Sequence, residues 1–170
     1  MEAIRRMEAA PEDIIVSLDG DDWFASENSL AVILDAYRKY NCWITYGSWI
    51  PDRQVEGESP GMWKAYPEGT TDFRNHEWLA TAVRTWKKWL WDRLKDSDLR
   101  DDRGEYFRIA EDRAIMLPLL EMAGDRARHI AEPIMIYNRV SSDSHQVSEE
   151  AMLVVETIAK RNPYQRIVNP

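Results

Sequence analysis

The stretch that most constrains the fold is Ile14-Ile15-Val16-Ser17-Leu18-Asp19-Gly20-Asp21-Asp22-Trp23, a β-branched apolar run that stops at three carboxylates. A short run of this kind, bounded by small and acidic residues, predicts a buried strand whose C-terminal end opens into a turn. In open α/β sheets that end of a strand is where ligands bind. Gly20 lacks a Cβ, so a tight turn there brings Asp19 and Asp21 toward one another. Clustered anions repel unless a cation joins them. Hard oxygen ligands in so small a cluster suit Mg²⁺ or Mn²⁺, with positions left over for substrate phosphates. The same residues also make an ordinary Asp-Gly turn. An EF-hand loop is a poor match, because a strand precedes the acids and no glycine takes the sixth position.

A chain of 170 residues with 44% hydrophobic content is long enough to bury one core, so one domain over residues 1–170 is expected. The net charge is −8, with the acids spread along the chain. No basic patch exists to neutralise phosphates, which argues against a nucleic-acid partner. The apolar runs fall far short of the roughly 20 residues that a membrane span needs, and no signal-type segment opens the chain. A soluble, cytoplasmic protein is therefore expected. The single cysteine, Cys42, rules out an internal disulfide. Eight tryptophans fit either a broad aromatic core or a surface that stacks on carbohydrate.

Along the chain, residues 1–12 read as a helix end closed by Pro11, and residues 13–18 as the strand. Ser26 or Asn28 caps a helix with Leu30, Ile33, Leu34 and Tyr37 on its apolar face. Residues 43–48 form a second strand, giving a β-α-β unit (residues 1–50) with a right-handed crossover. Three prolines and three glycines mark residues 51–75 as a long loop, either a lid over the ligand edge or a mobile insertion. Val83, Trp86, Leu90 and Leu94, widened by Trp89 and Trp91, predict a helix over 81–95. Glu111-Asp112 opens another helix, with Ile115, Met116, Leu119, Leu120 and Met122 inward. Pro118 should kink that helix or shift its start, and Gly124 ends it. Residues 130–140 read as a strand that Pro133 confines to a sheet edge. Residues 141–148 form a polar loop, and residues 149–160 a last helix with Met152, Val155 and Ile158 inward.

The order of these features carries a resemblance: an apolar strand ending in D-x-D-D, Arg84-Thr85-Trp86-Lys87, then Glu111-Asp112-Arg113-Ala114 with Pro118-Leu119-Leu120-Glu121-Met122-Ala123-Gly124, a P-I-M-I-Y-N-R strand and an S-x-S loop. From about Asp13 to His145 the chain resembles family 2 glycosyltransferases of the GT-A fold, a mixed sheet flanked by helices. The resemblance implies transfer of a sugar from a nucleotide-sugar donor, such as a UDP- or GDP-sugar, to a hydroxyl of a saccharide or other acceptor. It implies Mn²⁺ or Mg²⁺ on the donor diphosphate, with Asp21 as metal ligand, Asp19 at the donor ribose or the metal shell, and Asp22 beside the sugar. His145 would be a further metal ligand, or else a solvated loop histidine. Asp112 would be the general base in an inverting displacement, with Glu111 supporting it. Without the resemblance, the same acid pair reads as a helix start. Trp86 and Trp89 fit an acceptor platform or a core stripe, and residues 76–148 would form the acceptor side.

The chain departs from that family at its front, since only about a dozen residues precede the D-x-D strand. It resembles the C-terminal portion of such an enzyme, without the usual N-terminal nucleotide-binding segment. The expected consequences are an open edge on the 13–18 strand, self-association through it, and weak binding of nucleotide-sugars. Two other readings compete. One is a non-catalytic binding module that keeps the fold. The other is a haloacid-dehalogenase-like phosphatase with Asp19 as nucleophile, although Trp23 stands where that family expects Thr or Val.

Overall fold

A computed structural model describes residues 2–57, 59–139 and 148–168. The expected elements around the acidic turn are present. After a short helix α1 (Glu2–Arg6), the apolar run forms β1 (Ile14–Ser17), followed by a two-residue strand β2 (Trp23–Phe24) and helix α2 (Ser29–Tyr40). Strand β3 (Ile44–Pro51) precedes a long irregular segment. Then come β4 (Arg84–Lys87), a single turn α3 (Lys88–Trp91), α4 (Glu111–Ala123), β5 (Ala127–Tyr137) and α5 (Glu149–Ala159).

The five strands make one mixed sheet in the order β1-β4-β3-β5-β2. β4 is antiparallel to both of its neighbours, and β3 is parallel to β5. β1 and β3 therefore run in the same direction but are not adjacent, because β4 lies between them. The residues expected to form a helix over 81–95 supply that strand. Thr85 and Trp86 favour a pleated surface, and β1 offers a full row of backbone groups to pair with. The backbone N–H groups of Lys88 and Trp89 continue the pairing, donating to the carbonyls of Asp13 and Pro11.

Alternation along the strands sends side chains to two separate cores. Ile15, Ile44, Tyr46 and Trp86 pack with α4 on one face, where every residue from Ala114 to Ala123 is buried. Val83, Ile130 and Ile134 pack with Ile33 and Tyr37 of α2 on the other face. There the Tyr37 hydroxyl lies 2.9 Å from Thr85 Oγ1, which is itself 2.6 Å from Thr45 Oγ1. The chain is thus a mixed α/β structure with helices on both sides of its sheet. No helix of the described residues is long and apolar enough to cross a membrane.

Several expectations change. β1 is not buried on both faces: Ile15 is buried, whereas Val16 is exposed. The face that α2 buries comprises Ser29, Ile33, Ala36 and Tyr37, while Leu30 and Leu34 are exposed. Asn28 is the residue before α2 but makes no side-chain cap; Ser29 Oγ instead accepts from the Ser26 N–H. α4 runs through Pro118 to Gly124, whose φ of 51° suits a glycine C-terminal stop. The Ile167 N–H satisfies one of the orphan carbonyls there, that of Met122. Pro133 does not put β5 at the sheet edge, since among the described residues the two-residue β2 pairs outside it; Pro133 sits opposite Ser48 at a break in register between β3 and β5. Such an irregularity tolerates the missing N–H. On α5, Ile158 is buried but Met152 is exposed.

The long segment after β3 is held in place. Phe73, Leu79 and Ala80 are buried, Met62 bridges back to Trp49, and the Tyr66 N–H donates to the Tyr46 hydroxyl at 2.9 Å. A freely moving insertion would leave those groups in solvent. β1 remains an edge strand that pairs only with β4 among the described residues. Exposed Val16 lies on it, and exposed Met7 and Leu34 line a shallow groove with Ile14.

Candidate active site

The C-terminal end of β1, the start of β4 and the first turn of α4 meet at one point. Ser17 pairs with Arg84 in the β1–β4 register, which puts the acidic turn beside the Arg84 side chain. Arg84 and Trp86 are two residues apart on a strand, so both point to the α4 face. There Arg84 Nη2 donates to Asp112 Oδ2 at 2.8 Å, and Arg84 Nη1 lies 3.9 Å from Asp19 Oδ2. Arg84 Nε donates to the Ala80 carbonyl, which fixes the plane of the guanidinium. The second oxygen of Asp112 accepts from the Arg113 N–H at 2.8 Å, as an acid in a first helical turn does.

The remaining acids differ in their surroundings. Asp19 and Asp21 are exposed. Asp22 is half-buried, and its Oδ1 accepts from the Asn138 N–H at 2.9 Å, tying the turn to the end of β5. Burial pushes the Asp22 carboxyl up from its ordinary value, and the negative charges of Asp21 and Asp19 add to this. Glu111 is also pushed up, first by desolvation and then by the charges of Asp112 and Asp19. The five carboxylates thus share one electrostatic neighbourhood, with Arg84 as the cation between Asp19 and Asp112.

Gly20 does not have the role expected of it. A Cβ built there meets nothing within 4 Å, and its φ lies outside the left-handed region. The turn is closed instead by the Asp22 N–H donating to the Asp19 carbonyl. Trp86 cannot be an acceptor platform, because it is only 1% exposed and stacks on Trp91, with ring centroids 5.8 Å apart. Trp89 packs edge-on against buried Trp43. Of the eight tryptophans, only Trp23 and Trp63 are largely exposed, so the aromatic content is mainly core. His145 lies outside the described residues.

Among the described residues, no three His, Cys, Asp or Glu side chains converge on one point to cage a metal. The exposed Asp19 and Asp21 carboxylates nevertheless have the hard oxygen chemistry of Mg²⁺ or Mn²⁺ sites. Such ions are ordinarily held by one or two carboxylates together with substrate phosphates.

Two cavities lie at opposite ends of α4, and the second of them borders these groups. The larger, about 650 Å³, lies between Tyr46, Tyr66, Phe73 and His129 near the C-terminal end of α4. Its tyrosine hydroxyls are already engaged, with Tyr46 and Tyr66 accepting from the N–H groups of Tyr66 and Leu79. The smaller, about 40 Å³, is lined by Ser17, Asp19, Arg84, Trp86, Glu111 and Asp112, with Ile115 and Met116. Arg84 was not singled out from the sequence. Its period-2 relation to Trp86 is the available signal, masked by the helix-like spacing of Val83, Trp86, Leu90 and Leu94. Neither a scan against protein-family models nor a search of curated proteins gives a match to this chain.

Proposed function

We propose that this chain is a GT-A-like domain of an inverting, metal-dependent glycosyltransferase of the family 2 type, moving a sugar from a nucleotide-sugar to an acceptor hydroxyl. One observation carries the reading. The acidic turn after β1 and the acid pair opening α4, far apart in sequence, flank a single arginine, with Asp112 at 2.8 Å and Asp19 at 3.9 Å.

In this reading Asp19 and Asp21 would hold a divalent cation together with the donor diphosphate, and that cation would supply Lewis-acid neutralisation of charge on the leaving oxygens. Asp112 takes the proton of the acceptor hydroxyl as it attacks the anomeric carbon from the face opposite the leaving group. Arg84 holds the Asp112 carboxylate in place, and its positive charge keeps the acids compatible with a polyanionic donor. Asp22, fastened to the Asn138 N–H, fixes the turn against the sheet.

The test is a transfer assay with UDP- and GDP-sugars, Mn²⁺ and a panel of saccharide acceptors, alongside calorimetry of donor binding. We expect release of nucleoside diphosphate, reduced about 10²–10⁴-fold in Asp112→Asn, the range a positioned general base supplies. Full turnover in that variant would remove Asp112 from the mechanism. Calorimetry should show donor binding that depends on Mn²⁺, and binding unchanged on removing the ion would take the cation out of the mechanism. The exposed Val16 on the open edge of β1 supports self-association through that edge. Sedimentation that shows a concentration-independent monomer would exclude it.

A further inference from the structure

The cavity of about 650 Å³ at the C-terminal end of α4 has no part in the proposed transfer, and its size falls within the roughly 300–1,000 Å³ of small-molecule sites. Its walls come from three directions. Tyr46 on β3 and His129 on β5 are paired in register, so both side chains stand on the α4 face of the sheet, with ring centroids 5.3 Å apart. The segment after β3 supplies Tyr66, packed edge-on with Tyr46 and Phe73 at 5.5 and 5.1 Å. Gly124 and Asp125, just past α4, close the third side. Four aromatic rings therefore line one cavity.

The charges around it are unevenly answered. Asp125 is paired with Arg166 at 2.6 Å. Arg128 precedes His129 on the strand, so its side chain points to the opposite face, where the guanidinium carbon lies 4.8 Å from the centre of the Tyr40 ring. His129 adds no charge near pH 7, since burial lowers it from the ordinary imidazole value. Glu68 is left. It is exposed at the second position of a turn over residues 67–70, which the Thr70 N–H closes on the Pro67 carbonyl at 3.1 Å with Gly69 at a φ of 80°. Among the described residues it makes no hydrogen bond or ion pair. Aromatic rings attract a cation placed over their faces within about 6 Å, and an unpaired carboxylate adds to that attraction. An anion would meet Glu68 and the negative ring faces instead.

We propose that this cavity binds a small organic ammonium ion with alkyl groups on its nitrogen, the cation against the aromatic rings and Glu68 as its counter-charge. Alkyl groups suit the aromatic walls, and one positive charge suits the one unanswered carboxylate. The site is independent of the transferase reading. It lies at the other end of α4 from Asp112 and shares no residue with the acidic turn.

The test is calorimetry on the full chain with choline as the probe, beside 3,3-dimethyl-1-butanol, in which carbon replaces the charged nitrogen at the same shape. Choline should saturate the protein at millimolar concentration or below, and the neutral analogue should bind at least about fivefold more weakly, the factor that a cation over aromatic rings supplies. Glu68→Gln should weaken choline about two- to fivefold, the range of an exposed ion pair, and leave the neutral analogue unchanged. That side chain is exposed, so the variant should fold. Phe73→Leu, which keeps the position apolar but removes a ring, should weaken choline by a similar factor. Asp19→Asn combined with Asp21→Asn should leave choline binding as it is. Equal affinity for the two probes would overturn the ammonium ion, and so would the absence of saturation by choline. Choline binding that falls in the acidic-turn variant but not in Glu68→Gln would put the cation at the candidate active site and overturn this one. Retention on phosphatidylcholine vesicles without a response to free choline would assign a lipid headgroup and overturn a free small molecule. Sugar transfer, present or absent, leaves each of these outcomes unchanged.

Discussion

Helix α4 carries an arginine-carboxylate pair at each end, and the two are finished to different degrees. Near the C-terminal end, Arg74 grips Glu121 with two parallel contacts of 2.5 and 2.9 Å, and both side chains are under a tenth exposed. The remaining Arg74 donor reaches the Ile158 carbonyl at 2.7 Å, and the Tyr164 N–H donates to Glu121 at 2.8 Å. At the N-terminal end, Arg84 makes one contact to Asp112 and leans toward Asp19, beside a cavity of about 40 Å³ that both acids line. The Arg74 pair joins the segment after β3 to α4, α5 and the C-terminal tail, with every charge answered. Around the Arg84 pair, the exposed Asp19 and Asp21 leave negative charge for something else to answer. Complete satisfaction marks the structural pair, and its absence marks the candidate site.

The sharpest way to break this comparison is to remove one partner of the Arg74 pair. Arg74→Leu strands a buried carboxylate, and unfolding in urea should show a loss of about 3–5 kcal/mol. A double variant that also replaces Glu121 with Leu should recover much of this, since no buried charge then remains. A loss below about 1 kcal/mol in the single variant would mean that the pair is not the anchor described here.

Arg84→Leu should behave differently. Its carboxylate partners reach solvent and can rehydrate, so the same measurement should show a loss of about 1–2 kcal/mol. Its effect on donor turnover should exceed its effect on stability, because Asp112 loses the group that orients it. A stability loss as large as that of Arg74→Leu would make both pairs structural and weaken the case for a site.

The sequence exposed these two regions unequally. The strand and its acidic turn, the helix behind Glu111 and Asp112, and the glycine stop at Gly124 all rest on local signals: periodicity, turn residues and a change of φ. The mistaken helix over 81–95 also followed a real apolar pattern, since Val83, Trp86, Leu90 and Leu94 are all buried. What decided the outcome there was non-local, namely the need of β1 and β3 for a strand between them. Once Arg84-Thr85-Trp86-Lys87 is extended, Thr85 faces Tyr37 and Trp86 faces α4, a division a helix stripe could not produce. The Arg74–Glu121 clamp was not legible, because Glu121 sits in an apolar run and its partner in a segment with no periodicity. The exposed Leu30, Leu34 and Met152 show the same limit from the other side: amphipathic spacing names a face but not what covers it.

The smallest expected effect separates charge from packing at the candidate site. Glu111 opens α4, where a carboxylate ordinarily gains from the helix dipole. Desolvation and the charges of Asp112 and Asp19 instead push its carboxyl up. The folded state therefore binds this proton more tightly than the unfolded chain does. Stability from this group is fully present below the ordinary carboxyl value of about 4.3 and is lost as pH rises through the raised folded value. At pH 7 the ionised carboxylate is a net burden, and Glu111→Gln should raise stability there. Glu111 lies at the surface, so solvent screening holds the gain to a few tenths of a kcal/mol. The gain should vanish near pH 4, where the carboxyl is largely protonated whether the chain is folded or not. Thermal unfolding of the variant and the unmodified chain across that range provides the check. An equal gain at both ends would trace the effect to packing. A loss at pH 7 would show that the Glu111 carboxylate has a cationic partner in solution, and the contrast between a finished and an unfinished pair would then have to be redrawn around it.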